Sequence, residues 1–353
     1  MSKKVALILI NYKDYARRYL PDCLASLRLQ NYEGESQIFI VDNETSADSF
    51  GYLKKLAPEA EIIANKKNDG FAKGNNDAMN IALALGYDYI ILFNMDTVIE
   101  KDCVSELVKV AETSEKIGAV QARLMLHPET DKVNSLGNTT HFLGFGYCDG
   151  YGEKFSGDLT VKNIMYPSGA AVLFTATALK KVGLFDEEFW MYNEDQDLGW
   201  RLWLAGYACV LAPQAVVYHK YEFSKSIKKY YFMDRNRLLA IFKNYSCLTL
   251  FLIFPALVIM ELGLTLFSLK TGWFREKLRV WLYFLNPFKW SYFIKARRQV
   301  QRSRAVKESQ ILPLISGRIW YQEIADPKLK FINPIFSAYW AVVRGIIKIV
   351  NFF

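Results

Sequence analysis

Along the first hundred residues, short runs of apolar, largely β-branched residues alternate with stretches in which apolar positions recur at helical spacing. Runs at 5–10, 37–41, 60–64 and 88–93 predict strands, and 17–29, 49–56 and 71–86 predict the helices between them. That alternation builds βαβ units and a largely parallel sheet with right-handed crossovers. A helix over 102–115 follows. From 124 to 165 the periodicity fades into a loop or hairpin region containing Gly137, Gly144, Gly146, Gly150, Gly152 and Gly157. No helix start follows Gly-Phe-Gly or Gly-Tyr-Gly there, so both read as turns rather than phosphate loops. Order returns with helices near 175–182 and 194–205 and short strands near 207–211 and 215–218.

Beyond residue 220 the pattern changes. Residues 247–260 carry no charge, and as a helix they reach about 21 Å, short of the roughly 30 Å hydrocarbon core of a bilayer. Extension to Leu269 supplies the length, but the longer run contains Pro255 and Glu261. A spanning, re-entrant, in-plane or buried helix therefore stays open. In 335–353, Ser337, Arg344, Lys348 and Asn351 recur at helical spacing in an otherwise apolar run. This predicts a helix with a narrow cationic stripe and a broad Phe/Trp/Ile face, suited to a headgroup region.

Charge sharpens the division. Residues 1–220 carry 22 basic and 29 acidic residues, whereas 221–353 carry 22 and 7, a net +15. The last 133 residues also hold 27 of the 53 Phe, Trp and Tyr, Trp273, Trp281, Trp290 and Trp340 among them. Basic and aromatic-rich composition favours an anionic membrane surface over a nucleic-acid groove; a helical subdomain packed on itself is the alternative. We therefore expect an α/β domain at 1–220, in halves of about 1–123 and 124–220, and a helical membrane-associating region at 221–353. At 52% hydrophobic residues the chain is not disordered. Its five scattered cysteines form no Cys-x-x-Cys pair, which disfavours structural zinc or a disulfide framework and fits a reducing compartment. The apolar run 5–10 is shorter than a signal peptide's core and ends at Asn11, so it reads as the first strand of a cytoplasmic protein.

In an open α/β sheet the ligand sits outside the carboxyl ends of the strands, and here every such end is polar. The first strand ends in Asn11-Tyr12, the second in Asp42-Asn43, the third leads through Asn65 to Asn68-Asp69-Gly70, and the fourth ends in Asn94-Met95-Asp96. Neither Gly-x-Gly-x-x-Gly after the first strand nor Gly-x-x-x-x-Gly-Lys is present, which excludes a nicotinamide dehydrogenase and a P-loop. Phosphates must be held otherwise, and Asp96 is a hard ligand for Mg²⁺ or Mn²⁺, which neutralises a diphosphate. The run from Asn68 through Gly70, Phe71, Lys73 and Gly74 to Asn75 and Asn76 opens a helix with small and amide residues, allowing close approach of an anion. Glu194-Asp195-Gln196-Asp197 places three carboxylates in four residues. Acids there suit a helix first turn, and the same turn can present a general base. His219 ends the last strand of the domain, where a histidine is either structural or a metal ligand.

Taken in order, these motifs resemble glycosyltransferase family 2, nearest its rhamnosyltransferase-like members. The set is Asn-Tyr after the first strand, Val-Asp-Asn after the second, Asn-x-Gly-Phe-Ala-x-Gly-Asn-Asn, Asn-x-Asp in the place of a DxD motif, Ser168-Gly169-Ala170, and Glu-Asp-x-Asp-Leu-x-x-Arg. The resemblance covers 5–220 and implies a GT-A fold, a dTDP- or UDP-linked sugar donor, a divalent metal and inversion at the anomeric carbon. It also implies that Asn11 and Asp42 contact the nucleoside, that Asn75 lies along the donor, and that Asp96 binds the metal. Asp195 would be the base, with Glu194 beside it, and His219 a second metal ligand. With Tyr12, Asn43, Asn68, Gly70, Phe71, Lys73, Asn94, Met95 and Gly169 these make up the expected site. The first acid of DxD is Asn94 here, so the metal would rest on Asp96, the diphosphate and His219. The expected acceptor is a lipid-linked or cell-surface glycan, carried on a polyprenyl diphosphate at the inner face of the cell membrane, with rhamnose the expected sugar.

Three rivals follow from the same residues. A processive polysaccharide synthase would carry Gln-x-x-Arg-Trp, but Ser303 follows Gln299-x-x-Arg302. A sugar nucleotidyltransferase would carry a Gly-rich, Arg-containing loop after the first strand, which is missing. A decayed GT-A domain serving as a glycan- or lipid-binding protein would have no reason to keep both Asp96 and Asp195.

Overall fold

The apolar runs become the strands of one mixed sheet. In a computed structural model, which describes residues 3–157, 159–220, 227, 229–320 and 329–350, the chain opens as β1 (Val5–Tyr12), α1 (Tyr15–Arg28), β2 (Ser36–Asn43), α2 (Ala47–Leu56), β3 (Glu61–Asn65), α3 (Gly70–Ala84) and β4 (Tyr89–Phe93). Each lies within two residues of its sequence-predicted bounds. β5 (Thr97–Ile99), α4 (Cys103–Ala111), β6 (Ile117–Leu126), β7 (Val133–Ser135), β8 (Asn138–His141), β9 (Gly146–Cys148) and β10 (Lys162–Asn163) follow. Next come β11 (Ala171–Thr175), α5 (Ala176–Val182), α6 (Glu194–Leu204) and β12 (Ala208–His219).

The sheet order is β10-β12-β6-β11-β4-β1-β2-β3. Strands β4, β1, β2 and β3 pair in parallel, as βαβ units require. Val5, Leu7 and Leu9 share a core with Leu20 and Leu24 of α1 and Leu107 of α4, while Ala6 and Ile8 are buried on the opposite face. Burial on both faces explains why this strand is a continuous apolar run. Two strands without a sequence signal complete the sheet: β11 runs antiparallel between β4 and β6, and β6 pairs in parallel with β12. The segments read as two strands near 207–211 and 215–218 are one strand with a register shift between Ala212 and Val216. Pro213, which lacks an N–H for the ladder, sits in that irregularity.

The chain separates into two compact units. One comprises residues 1–138, 148–202 and 207–222 and holds the large sheet; the other comprises 139–147, 203–206 and 223–353. In the second, α7 (Lys229–Asn244), α8 (Cys247–Thr271), α9 (Phe274–Leu285), α10 (Trp290–Ser303) and α11 (Leu329–Val350) accompany a short strand, β13 (Ile315–Ser316), which pairs with β8. Trp340 of α11 is buried, stacks on Phe142 with centroids 5.2 Å apart, and donates from Nε1 to Ile315 O at 2.9 Å. Trp273 is buried too, and Ser337 Oγ is enclosed. Trp340 and Ser337 therefore belong to the unit's interior rather than to the lipid-facing helix expected for 335–353, and Trp273 lies away from the surface as well. Asn351, the last member of the expected stripe, lies outside the described residues.

Candidate active site

In-register pairing of β1, β2 and β3 sets Asn11 beside Asp42 and Asn43 beside Asn65 at the carboxyl ends of three strands. Asn11 and Asp42 are fully buried, and Asn11 Nδ2 donates to Asp42 Oδ1 at 2.7 Å. Asn11 Oδ1 accepts from Ala16 N and Asp42 Oδ2 from Ser49 Oγ, at 2.8 and 2.7 Å. Next to this pair a hollow of about 220 Å³ is lined by Lys13, Arg17, Glu44 and Tyr52 as well as Asn11 and Ser49. Arg17 lies over the Tyr52 ring at 4.5 Å. Neither residue carried a sequence signal, because their meeting depends on how α1 and α2 lie beside the strand ends.

Asn43 ties this end to the next helix. Its Nδ2 donates to Gly70 O at 3.2 Å, and its Oδ1 accepts from Asn65 at 3.0 Å. Gly70 begins α3 at φ +86°, its amide capped by Asn68 Oδ1 at 3.0 Å, and a Cβ there would lie 2.4 Å from Trp190 O. Only glycine fits. Asn75 is buried and turned back onto Phe71 O at 2.9 Å, while Lys73 is held by Asp77 at 2.6 Å.

The carrier of the acid run is the most constrained backbone in the unit. Trp190, Tyr192 and Asn193 have φ of +62°, +69° and +64° just before α6. Three non-glycine residues in that region are costly and mark a segment held by its surroundings. Trp190 O accepts from Ala72 N of α3 at 3.1 Å. The turn sets up Asp195, whose Oδ1 accepts from Gln196 N at 2.7 Å and Oδ2 from Gly169 N at 3.4 Å. Burial pushes the Asp195 carboxyl up to about 6. Glu194 is buried more deeply, with Oε2 making no hydrogen bond, and burial followed by the charge of Asp195 drives it well above the carboxylate range. Asp197 is absorbed by an ion pair with Arg201 at 2.8 Å, itself bound to Val182 O and Leu184 O. Of the three acids, only Asp195 is both partly accessible and free of a cationic partner among the described contacts.

Strand pairing joins the surroundings of Asp195 to the end of β4. Asn94 N donates to Ala170 O at 3.0 Å, one residue from Gly169. Two residues on, Asp96 Oδ1 faces His219 Nε2 at 3.3 Å, and both residues are buried. His219 Nδ1 lies 3.0 Å from Asn134 Oδ1. Burial raises the Asp96 carboxyl, but His219 and the Tyr15 hydroxyl outweigh it and leave it below the usual range. Burial and that carboxylate in turn raise Tyr15. The Asp96 carboxylate and the His219 imidazole are donors of the kind that would hold a divalent cation and leave positions open for further ligands. Among the described residues no group of three or more His, Cys, Asp or Glu could hold a metal unaided.

The family model Glycosyl transferase family 2 matches residues 7–174. Residues 7–174 are a glycosyltransferase family 2 domain. The poly-β-1,6-N-acetyl-D-glucosamine synthase of Staphylococcus aureus (strain COL) is 23% identical over 197 residues, 56% of this chain and 45% of the synthase. The chain thus spans under half the length of the curated relative it matches. GalNAc-T7, solved with UDP, GalNAc and Mn²⁺, is 10% identical and covers 67% of this chain and 48% of its own, with TM-score 0.52. The mannosyltransferase PcManGT from Pyrobaculum calidifontis, solved with GDP-Man and Mn²⁺, is 12% identical and covers 98% and 87%, with TM-score 0.50. The fold is GT-A.

Within the family 2 domain the structure gathers most of the expected residues at one end of the sheet and assigns them different tasks. Asn11, Asp42, Asn43, Asn68 and Gly70 form a connected framework. Phe71 packs by its ring against the Gly169 backbone and lies 6.2 Å from Phe185. Tyr12 is exposed beside Lys13. Met95 is fully buried in the core. Sequence reasoning missed Tyr15, Asn134 and the left-handed run at 190–193. Asn134 had no local signal, since it reaches His219 from 85 residues away.

Proposed function

We propose that the protein is an inverting sugar transferase that moves a sugar from a nucleoside-diphosphate donor to a hydroxyl of a glycan acceptor, using a divalent cation. The observation that carries this reading is the placement of Asp195. It is raised by burial to about 6, presented by a strained turn, and linked through Gly169 and Ala170 to Asn94 at the end of β4, two residues before Asp96. A carboxylate with that pKa is ionised at neutral pH, yet basic enough to take a hydroxyl proton. The acceptor oxygen bonds to C1 as its proton passes to Asp195, and the C1–O bond to the diphosphate breaks on the opposite face. A cation held by Asp96 and His219 would neutralise charge on the departing diphosphate. Only one carboxylate acts at the reacting carbon, unlike the pair a retaining glycosidase needs.

Mn²⁺ with UDP or GDP-Man in the GT-A neighbours supports a metal and a nucleotide donor here. Asn11, Asp42 and the hollow at Arg17 and Tyr52 are the proposed nucleoside end. A dTDP- or UDP-linked rhamnose is the first donor to test, on motif resemblance alone, with a polyprenyl-diphosphate-linked glycan as acceptor. The basic second unit is proposed to hold the enzyme on an anionic, cytoplasmic membrane face. A panel of nucleotide sugars, assayed for nucleoside diphosphate release with Mn²⁺ and with EDTA, with and without lipid-linked acceptor, tests the activity. Release with one donor, lost in EDTA, is expected; none with any donor in Mn²⁺ would leave the decayed, binding-only alternative.

A further inference from the structure

The geometry of the second unit points to α8 lying in the plane of an anionic phospholipid surface, half sunk along its length, instead of crossing the bilayer or being covered by protein. This rests on the membrane reading above and names the element and its orientation. Helix α8 is the one helix among the described residues long and apolar enough to cross a membrane, yet little of it is buried. Its packed side is Thr249, Ile253, Ala256, Leu257 and Ser268. Phe251, Phe254, Val258, Leu262, Leu266 and Leu269 recur every three or four residues on the opposite side, and all are exposed. A helix apolar all round with one bare side calls for an apolar medium there.

Glu261 sets the orientation. It lies two residues past the midpoint of α8 and on the flank between the two sides. Lys277 of α9 donates to it at 2.6 Å and to Asp234 of α7 at 2.7 Å. Arg237 pairs with both acids, and Lys277 and Arg237 are essentially unexposed. Two cations and two carboxylates close a neutral network that binds the middle of α8 to α7 and α9. A spanning α8 would have to tear Glu261 out of this network or drag four charges to the centre of the bilayer. An in-plane α8 keeps it intact.

Charge selects the occupant. Exposed Lys270, Arg275, Arg279, Lys295, Arg298 and Arg302 belong to the same unit, within a segment of net charge +15. A second copy would set like charges against each other, whereas an anionic headgroup layer complements them.

The test uses the full chain. Liposome flotation on phosphatidylglycerol vesicles compares wild type with Leu262→Glu/Leu266→Glu. A membrane-impermeant maleimide then probes the two ends of α8 in membranes from expressing cells, in a Cys148→Ser background: exposed Cys247 at one end, and Lys270→Cys with Cys247→Ser at the other. We expect at least tenfold weaker vesicle binding by the double variant, and labelling of both ends from the same side. Labelling of the two ends from opposite sides would show a span and overturn the inference. So would flotation of the double variant equal to wild type, which leaves the broader membrane reading intact. Failure of the wild type to float overturns both, and a dimer broken by the double variant would then identify a second copy as the occupant.

Discussion

The two units differ in where their buried charges gather and in how much apolar surface they leave bare. In the first, buried polar groups converge at the strand ends, where Asp96 Oδ1 lies 3.3 Å from His219 Nε2 and Glu194 Oε2 makes no hydrogen bond. In the second, Asp234, Glu261, Arg237 and Lys277 satisfy one another in a closed network. Of the 29 exposed large apolar side chains among the described residues, 25 lie in the second unit. Incomplete polar satisfaction is where a ligand completes the structure, and incomplete apolar burial is where a surface does. The proposed function assigns the first feature to a nucleotide donor and the second to a membrane surface.

Substitutions sharpen the contrast. The largest effect is expected for Asp195→Asn, which keeps the shape but takes no proton: turnover should fall by about 10²–10⁴ with donor affinity nearly unchanged. Turnover close to wild type would remove Asp195 from its role. Breaking the second unit's network should act on stability alone. Lys277→Met leaves Asp234 and Glu261 short of a cation in the interior and should cost about 3–5 kcal/mol by denaturant unfolding, with nucleotide binding retained in native buffer. Asp96→Ala should lower turnover by about 10²–10³ and weaken metal-dependent nucleoside diphosphate binding, measurable by calorimetry. Full activity of that variant in EDTA would show that no cation is used.

The smallest effects concern pH. Burial raises Asp195 to about 6 in the folded chain, so kcat/KM should fall about tenfold per unit below pH 6 and level off above it. The same shift has a stability cost. An acid whose folded pKa exceeds its unfolded value loses stability as pH rises through that interval. Asp195→Asn should therefore be about 1–3 kcal/mol more stable than wild type at pH 8 and lose that advantage below about pH 4. Equal stability at both pH values would mean that the carboxyl is better solvated than its surroundings indicate.

Sequence pattern was most informative where burial is two-sided and local. β1 to β4 and α1 to α3 came out within two residues because parallel strands are unbroken apolar runs separated by helical spacing. β6 escaped because Gly118, Gln121 and Arg123 interrupt its run, Gln121 being buried and bonded to Ser135. The place of β11 between β4 and β6 is set by the sheet. In the site, Asp96, Asp195 and His219 were visible as polar residues at element ends, whereas Asn134 and Tyr15 act through contacts that only the fold creates. In the second unit, composition marked a surface-seeking region, but Trp273 and Trp340 turned out to be interior, because aromatic content does not tell which side of a helix is packed.

The central claim is a single displacement at the sugar's anomeric carbon with Asp195 as base. Its most direct test is the anomeric configuration of the first product, read by NMR during turnover with a donor of known configuration. The account requires inversion in the earliest product detected; retention would require a second displacement and a nucleophile, and would contradict it.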